Sequence, residues 1–358
     1  MVSLSNHERV RSLMAVTIGR CGPEDIDEVV RFIDDYWSRG HALVTSRRLL
    51  DWQHRNPDGG YSFVIARQNG VIIGMLGYIS TMRFDPALAA DNVVWLTTWK
   101  VRDDAGVAGV GLALLQYLAS HERHVAIGAI GLNPVTRPIY QALGYRMGEL
   151  QHYVLPNADV RRFALATLSP SRGVVPADAS VGVGFKIVTV GADPCVGPMQ
   201  DPGIEPIPRK TERYFLARYA AHPVYSYRVV ALTEDDAVIG LMAMRLAAHD
   251  RHKALRIVDF LGNPRVIARI GGVVQHLLRE FEAEYADVYN AGIEPAMFEC
   301  AGFRRVDPDG SDVVPDHFEP FEPRNVRLWY SIKATGDPVL FKGDADQDRP
   351  SVLPKPAR

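Results

Sequence analysis

Two hydrophobic periods share this chain. Tyr61–Ala66 and Val71–Thr81 are β-rich runs parted by Gln68-Asn69-Gly70, where Asn and Gly tolerate the positive φ of a tight turn. Ile26, Val29, Val30 and Ile33 instead recur at helical spacing. They follow Gly22-Pro23-Glu24-Asp25, whose proline and acids suit a helix start. Met14–Ile18, Asn92–Val101, Val125–Ile130 and Tyr145–Leu155 read as further strands, and Val110–Leu118 as a helix. Asn133–Leu143 is another helix, entered through an Asn133-Pro134 cap.

The pattern stops at Pro156–Gly184, where Pro156, Pro170 and Pro176 stand among scattered Ser and Gly. It then restarts. Phe185–Val190, Tyr225–Ala231, Val238–Leu246, Leu255–Leu261 and Asp287–Tyr289 read as strands, and Thr211–Ala221, Val266–Tyr285 and Pro295–Cys300 as helical segments. The order β-α-β-β-β-α-β-α-β thus occurs twice, about 160 residues apart, which a duplication explains most simply. The expected organisation is a first domain over residues 1–155, a linker over 156–180, a second domain over 181–335 and a polar tail over 336–358.

Composition narrows the field. The 358 residues hold 40 Lys plus Arg and 42 Asp plus Glu, for a formal net charge of −2, so no concentrated basic face speaks for nucleic acid. A hydrophobic share of 47% suits a packed core. Cys21, Cys195 and Cys300 lie far apart, outside any C-x-x-C pair, which fits a reducing compartment and no zinc site. The first twenty residues lack a signal-peptide order, and no apolar run spans a bilayer, so the expectation is a cytoplasmic protein without membrane contact, monomer or homodimer.

The most informative stretch leaves a strand at Val101, passes Gly106-Val107-Ala108-Gly109 and enters a helix at Val110-Gly111. A glycine loop opening a helix aims backbone N–H groups at one point and adds the positive helix end, a cradle for phosphate. The glycine spacing is not G-x-G-x-x-G, and Leu112-Ala113 stands where a Walker A loop needs Lys-Ser or Lys-Thr. Asn133 ends the next strand, Tyr140 follows seven positions on, and the helix closes in Leu143-Gly144-Tyr145. Together these motifs resemble the GNAT superfamily of acetyl-CoA-dependent N-acetyltransferases, over roughly residues 14–155. One departure is Gly106, where the family loop usually opens with Gln or Arg.

The resemblance implies an α/β (α+β) fold of two tandem GNAT-like domains, each with a mixed, mostly antiparallel sheet flanked by helices. It implies acetyl-CoA as co-substrate, held by Val101, Gly106, Val107, Ala108, Gly109, Val110, Gly111 and Asn133, with no metal. It also implies a backbone N–H on the splayed strand Asn92–Val101 for the thioester carbonyl, and Tyr140 as the acid that protonates the coenzyme A thiolate. The second half resembles the same fold with its chemistry eroded: Gly262-Asn263-Pro264 replaces the glycine loop, and Phe298 replaces Tyr140.

The base is not written plainly, since Trp95–Lys100 carries neither carboxylate nor His. Asp51, His54 and Asp85 are first-half candidates, and Asp259, an acid inside an apolar strand, is the second-half one, with backbone capping as its alternative role. His222, Tyr225 and His317 stand among aromatics as substrate-binding candidates, or as ordinary packing. Asp344, Asp346 and Asp348 have calcium-loop spacing, but Arg349 at the sixth position and the lack of a closing Glu exclude that loop and leave a solvated acidic tail. The tail also resembles endings of tandem proteins in amino-sugar assembly for polysaccharides, which would place Asp348 and Arg349 on a nucleotide-linked sugar. The expected activity is N-acetylation of such an amino sugar. Alternatives are an aminoglycoside, amino acid or protein N-terminus as acceptor, or a non-catalytic scaffold that binds coenzyme A.

Overall fold

A computed structural model describes residues 16–169, 183–188, 199, 203 and 206–353. The first half runs β1 (Val16–Cys21), α1 (Ile26–Phe32), α2 (Ala42–Thr45), α3 (Arg47–His54), β2 (Tyr61–Gln68), β3 (Val71–Ser80), β4 (Val93–Val101), α4 (Val110–His121), β5 (Ala126–Ile130), α5 (Arg137–Ala142) and β6 (Arg146–Pro156). The second runs β7 (Gly184–Val188), α6 (Glu212–Phe215), β8 (Tyr227–Glu234), β9 (Ala237–His249), β10 (His252–Gly262), α7 (Gly271–Glu280), β11 (Tyr285–Ala291), α8 (Pro295–Cys300) and β12 (Arg304–Arg305). Two late strands, β13 (Leu328–Lys333) and β14 (Leu340–Phe341), complete the sheet.

The repeat is visible in detail. In each half the first helix of the repeat continues into a π turn, Ile33–Trp37 after α1 and Leu216–Ala220 after α6. In each half the later short helix ends on a left-handed glycine, Gly144 or Gly302. The same backbone bond closes both ends, Tyr145 N to Tyr140 O at 3.0 Å and Phe303 N to Phe298 O at 2.9 Å. Tyr140 and Phe298 are therefore structural counterparts.

The described strands form one sheet in the order β1-β2-β3-β4-β5-β13-β6-β11-β10-β9-β8-β7. The halves are joined by exchange. β13 lies between β5 and β6, antiparallel to both, with Tyr330 opposite Ile130 and Gly148. The other edge of β6 pairs with β11, Tyr153 opposite Val288. Central strands are apolar on both faces; α4, for example, buries Val110, Leu114, Leu115 and Leu118 against the first-half sheet.

Several expectations change. The helix expected over Val266–Tyr285 divides into a 3-10 turn, Pro264–Arg269, and α7. The side chain of Asn263 caps the tight turn, and Gly271-Gly272 are weak helix formers. β11 exceeds the expected Asp287–Tyr289, because buried Asp287 and Asn290 interrupt its apolar run. α2, α3, β13 and β14 were not expected at all. The tail is the largest correction: Lys342, Asp344 and Asp348 are buried, not solvated. Arg218 Nε and Nη2 donate to the Gly343 carbonyl at 3.0 and 2.6 Å, and Lys210 pairs with Asp344 at 2.8 Å. Residues 170–180 of the expected linker and Cys195 lie outside the described residues. No described helix is long and apolar enough to cross a membrane.

Candidate active site

β4 and β5 pair in parallel only from Val93 opposite Ala126 to Leu96 opposite Ala129. Beyond Leu96 the strands part. There the register of β4 with β3 slips, so that Gly77 faces both Thr97 and Thr98. This bulge turns the backbone of β4. Thr97 lines the resulting cavity, and its buried hydroxyl has no hydrogen-bond partner among the described residues.

The cavity holds about 1020 Å³ and runs from this cleft to the second half. Its first end is built by the glycine loop. Gly109 caps α4 with a φ of +80°, and Gly106 has +67°, conformations that glycine adopts without strain. The first N–H groups of α4 have no acceptor within the helix, so its positive end faces the cleft. A Cβ on Gly111 would come within 3.3 Å of the Trp99 indole nitrogen, so this glycine keeps the groove wall open. Val101, Gly109, Gly111 and Asn133 line the cavity. Gly106, Val107 and Ala108 stand on the outer loop, and the Val110 side chain is in the core, which leaves these four only backbone groups to offer. Asn133 caps the turn before α5, its side chain accepting from Val135 N at 3.1 Å.

Tyr140 lines the same cleft. Its ring is 2% exposed and packs edge-on against Trp99, at 5.8 Å, and Tyr145, at 5.2 Å. Burial, with a smaller contribution from Tyr145, pushes its phenol above the ordinary value. The hydroxyl therefore stays protonated at neutral pH, as a proton donor requires.

The second end comes from remote segments: Arg245 on β9, Arg256 on β10, Asp316, His317 and Glu319, and the tail from Lys342 to Ser351. Arg256 binds Asp287 through two nitrogens at 2.7 Å and Asp316 at 2.9 Å; Lys342 reaches Asp316 at 2.5 Å. Burial works against ionisation of Asp316, but Lys342 and Arg256 outweigh it and hold the carboxyl well below its usual range. Asp348 accepts from the Tyr227 hydroxyl and contacts Arg349, which also donates to Gln53.

The sequence candidates separate accordingly. Tyr140, His317, Asp348 and Arg349 meet around one cavity. Asp259 does not reach it. Its carboxylate takes Lys210 at 2.5 Å, the Tyr219 hydroxyl at 2.8 Å and the Phe260 amide at 2.8 Å, so its role is structural rather than that of a base. His222 is also a correction: it packs on Trp52 at 4.2 Å and accepts the amides of Val224 and Tyr225. Burial and nearby arginines push its pKa down to about 2, so it stays neutral. Tyr225 anchors the tail through the Pro350 carbonyl at 3.0 Å instead of lining the cavity. Asp51 binds Arg47 and Tyr61, His54 binds Ser62, and Asp85 binds Thr211, all off the cavity wall. Arg245 and Arg256 escaped sequence reading, and Asp346 entered it only through the rejected calcium-loop spacing, although an Asp and an Arg inside the apolar runs of β10 and β11 were a signal of buried ion pairing. Among the described residues, no cluster of three His, Cys, Asp or Glu is arranged to hold a metal.

Residues 26–145 match the model of the acetyltransferase (GNAT) family. No curated protein matches the chain in sequence. Similar folds occur in solved structures. A GCN5-related N-acetyltransferase from Anabaena variabilis aligns at TM-score 0.52 and 9% identity, covering 89% of this chain and 72% of that one. Its counterpart from Kribbella flavida gives 0.52 and 11%, covering 90% and 72%. A probable N-acyltransferase from Enterococcus faecalis gives 0.52 and 11%, covering 89% and 73%. At such identities these likenesses speak for the fold alone. Residues 26–145 are thus similar to the acetyltransferase (GNAT) family, and the chain shares the fold of these solved structures.

Proposed function

We propose that the protein transfers the acetyl group of acetyl-CoA to a primary amine on a small molecule. The observation that carries this reading is the convergence of three features on one cleft: the parted β4 and β5, the glycine-opened N-terminus of α4, and the Tyr140 phenol. The pyrophosphate of acetyl-CoA would rest on the first amides of α4, and the backbone bulge at Thr97 and Thr98 would serve the thioester carbonyl. Tyr140 would donate a proton to sulfur as the C–S bond breaks.

The cavity sits at the upper end of the roughly 300–1,000 Å³ usual for small-molecule sites, and the coenzyme arm would occupy only one end. The remainder suits an extended acceptor. A nucleotide-linked amino sugar is the first acceptor to try, with Arg245 as the cation nearest to free, because Arg349 is engaged by Asp348 and Gln53. Aminoglycosides, amino acids and peptide N-termini complete the panel. The test is thiol release from acetyl-CoA across that panel by the wild type and Tyr140→Phe. Turnover lost in the variant with folding intact supports the reading. Equal turnover removes Tyr140 from the chemistry.

A further inference from the structure

We infer that Asp346, on the C-terminal segment, receives the acceptor's ammonium group and takes its proton. This assignment rests on the acetyltransferase reading and adds the base which that reading lacks.

Four observations lead to it. Of the carboxylates on the cavity wall, Asp316 and Asp348 are ion-paired; among the described residues, Asp346 and Glu319 have no Lys or Arg within pairing distance. Asp346 lies at the end nearer the chemistry. The side chain of its neighbour Gln347 donates to it at 3.2 Å and lies against Gly131, where β5 ends and the cleft to Asn133 opens. A Cβ on Gly131 would overlap that amide, so the contact requires glycine there. The backbone on both sides of Asp346 is fixed: Arg218 holds the carbonyls of Gly343, Asp344 and Ala345, and Arg245 holds that of Asp348 at 3.0 Å. Finally, of the two histidines on the cavity wall, His317 stands beside Asp316 at the second end, and His41 is the one in electrostatic reach of Asp346. Its Nδ1 accepts from Leu43 N at 3.2 Å, so the neutral ring carries its proton on Nε2 and presents a donor, not a base. His41 and Arg349 are in electrostatic reach of Asp346.

The proton balance closes. The ammonium gives one proton to Asp346, and its freed lone pair forms the C–N bond. The tetrahedral adduct then breaks its C–S bond, with the electron pair leaving on sulfur. Sulfur takes the Tyr140 proton, the new amide nitrogen restores it, and Asp346 returns its own to solvent.

The experiment compares wild type, Asp346→Asn and Glu319→Gln, with acetyl-CoA and two acceptors: the fastest amine of the panel, and hydroxylamine, which is largely neutral at pH 7. Cofactor affinity is read separately by calorimetry. The assignment expects Asp346→Asn to bind acetyl-CoA as wild type does. It expects kcat/KM to fall about 100-fold or more with the protonated amine and far less with hydroxylamine. An equal fall with both acceptors marks a structural role and overturns the assignment. So does an undiminished rate, or a larger loss in Glu319→Gln. A wild type that binds no acetyl-CoA, or releases thiol with no amine, instead removes the acetyltransferase reading, and the assignment with it.

Discussion

Arg218, buried in the second half, grips the Gly343 carbonyl with two N–H groups, Nε at 3.0 Å and Nη2 at 2.6 Å. This contact turns a polar chain end into a cavity wall. Arg218 also reaches the carbonyls of Asp344 and Ala345. Arg218→Ala would leave the Asp344 and Ala345 carbonyls without this donor and the Gly343 carbonyl with only the Tyr219 hydroxyl at 3.1 Å, and each unanswered buried carbonyl costs about 1–3 kcal/mol. We expect a stability loss of about 3 kcal/mol or more by urea denaturation, together with new protease cleavage between residues 343 and 351. An unchanged midpoint and an uncut tail would show that the segment is held by other contacts.

Tyr140 gives the second prediction. Phe keeps the edge-on contacts with Trp99 and Tyr145 and removes only the hydroxyl. Loss of a positioned acid costs roughly 10²–10⁴ in rate. Tyr140→Phe should lower kcat in that range while the calorimetric affinity for acetyl-CoA stays within about twofold.

The glycine loop gives the third. Gly109 has φ +80° at the cap of α4, and its Cβ position is open, so Gly109→Ala adds no clash, only strain. A left-handed residue with a Cβ costs roughly 1–2 kcal/mol. Relaxation of that strain would turn the first amides of α4 away from the cleft. Acetyl-CoA affinity should fall by about tenfold, which corresponds to about 1.4 kcal/mol.

Much of this first end was legible in the sequence because its determinants are local. The glycine loop, Asn133, Tyr140 and the Gly144 cap sit within one β-α-β-α stretch, and each signals through its own backbone geometry. The second end was not legible. Its wall comes from β9, β10, the 316–319 segment and the tail, elements that only meet once β13 has crossed between β5 and β6. The tail misled through composition: Lys342, Asp344 and Asp348 read as solvated, but their charges are answered by Asp316, Lys210 and Arg349. Asp259 misled in the same way, because an acid in an apolar strand looks alike whether a base or half of an ion pair.

Acid stability gives the fourth prediction. Burial pushes the Asp287 carboxyl up, but Arg256 and the His152 hydrogen bond outweigh it and bring its pKa down to about 2. An unfolded Asp titrates near about 3.9. The folded pKa is the lower one, so this stabilisation is present above about pH 4 and is lost as pH falls toward 2. The depression corresponds to an upper limit of about 2–3 kcal/mol. Burial also lowers the pKa of His152, which costs stability as pH falls below its unfolded pKa of about 6.5. Urea midpoints should therefore decline from about pH 6 downward, and more steeply below about pH 4. A flat profile from pH 6 to pH 2 would contradict this.

The central claim is one acetyl-CoA site per chain, in the first half. The second half has the fold but not the cradle: Pro264 removes a backbone donor after β10, and Phe298 stands where Tyr140 stands. Calorimetric titration of acetyl-CoA into the full chain tests this most directly. The account predicts saturable binding with one acetyl-CoA per chain, weakened in Gly109→Ala. Two equivalent sites per chain, or no binding at millimolar acetyl-CoA, would contradict it.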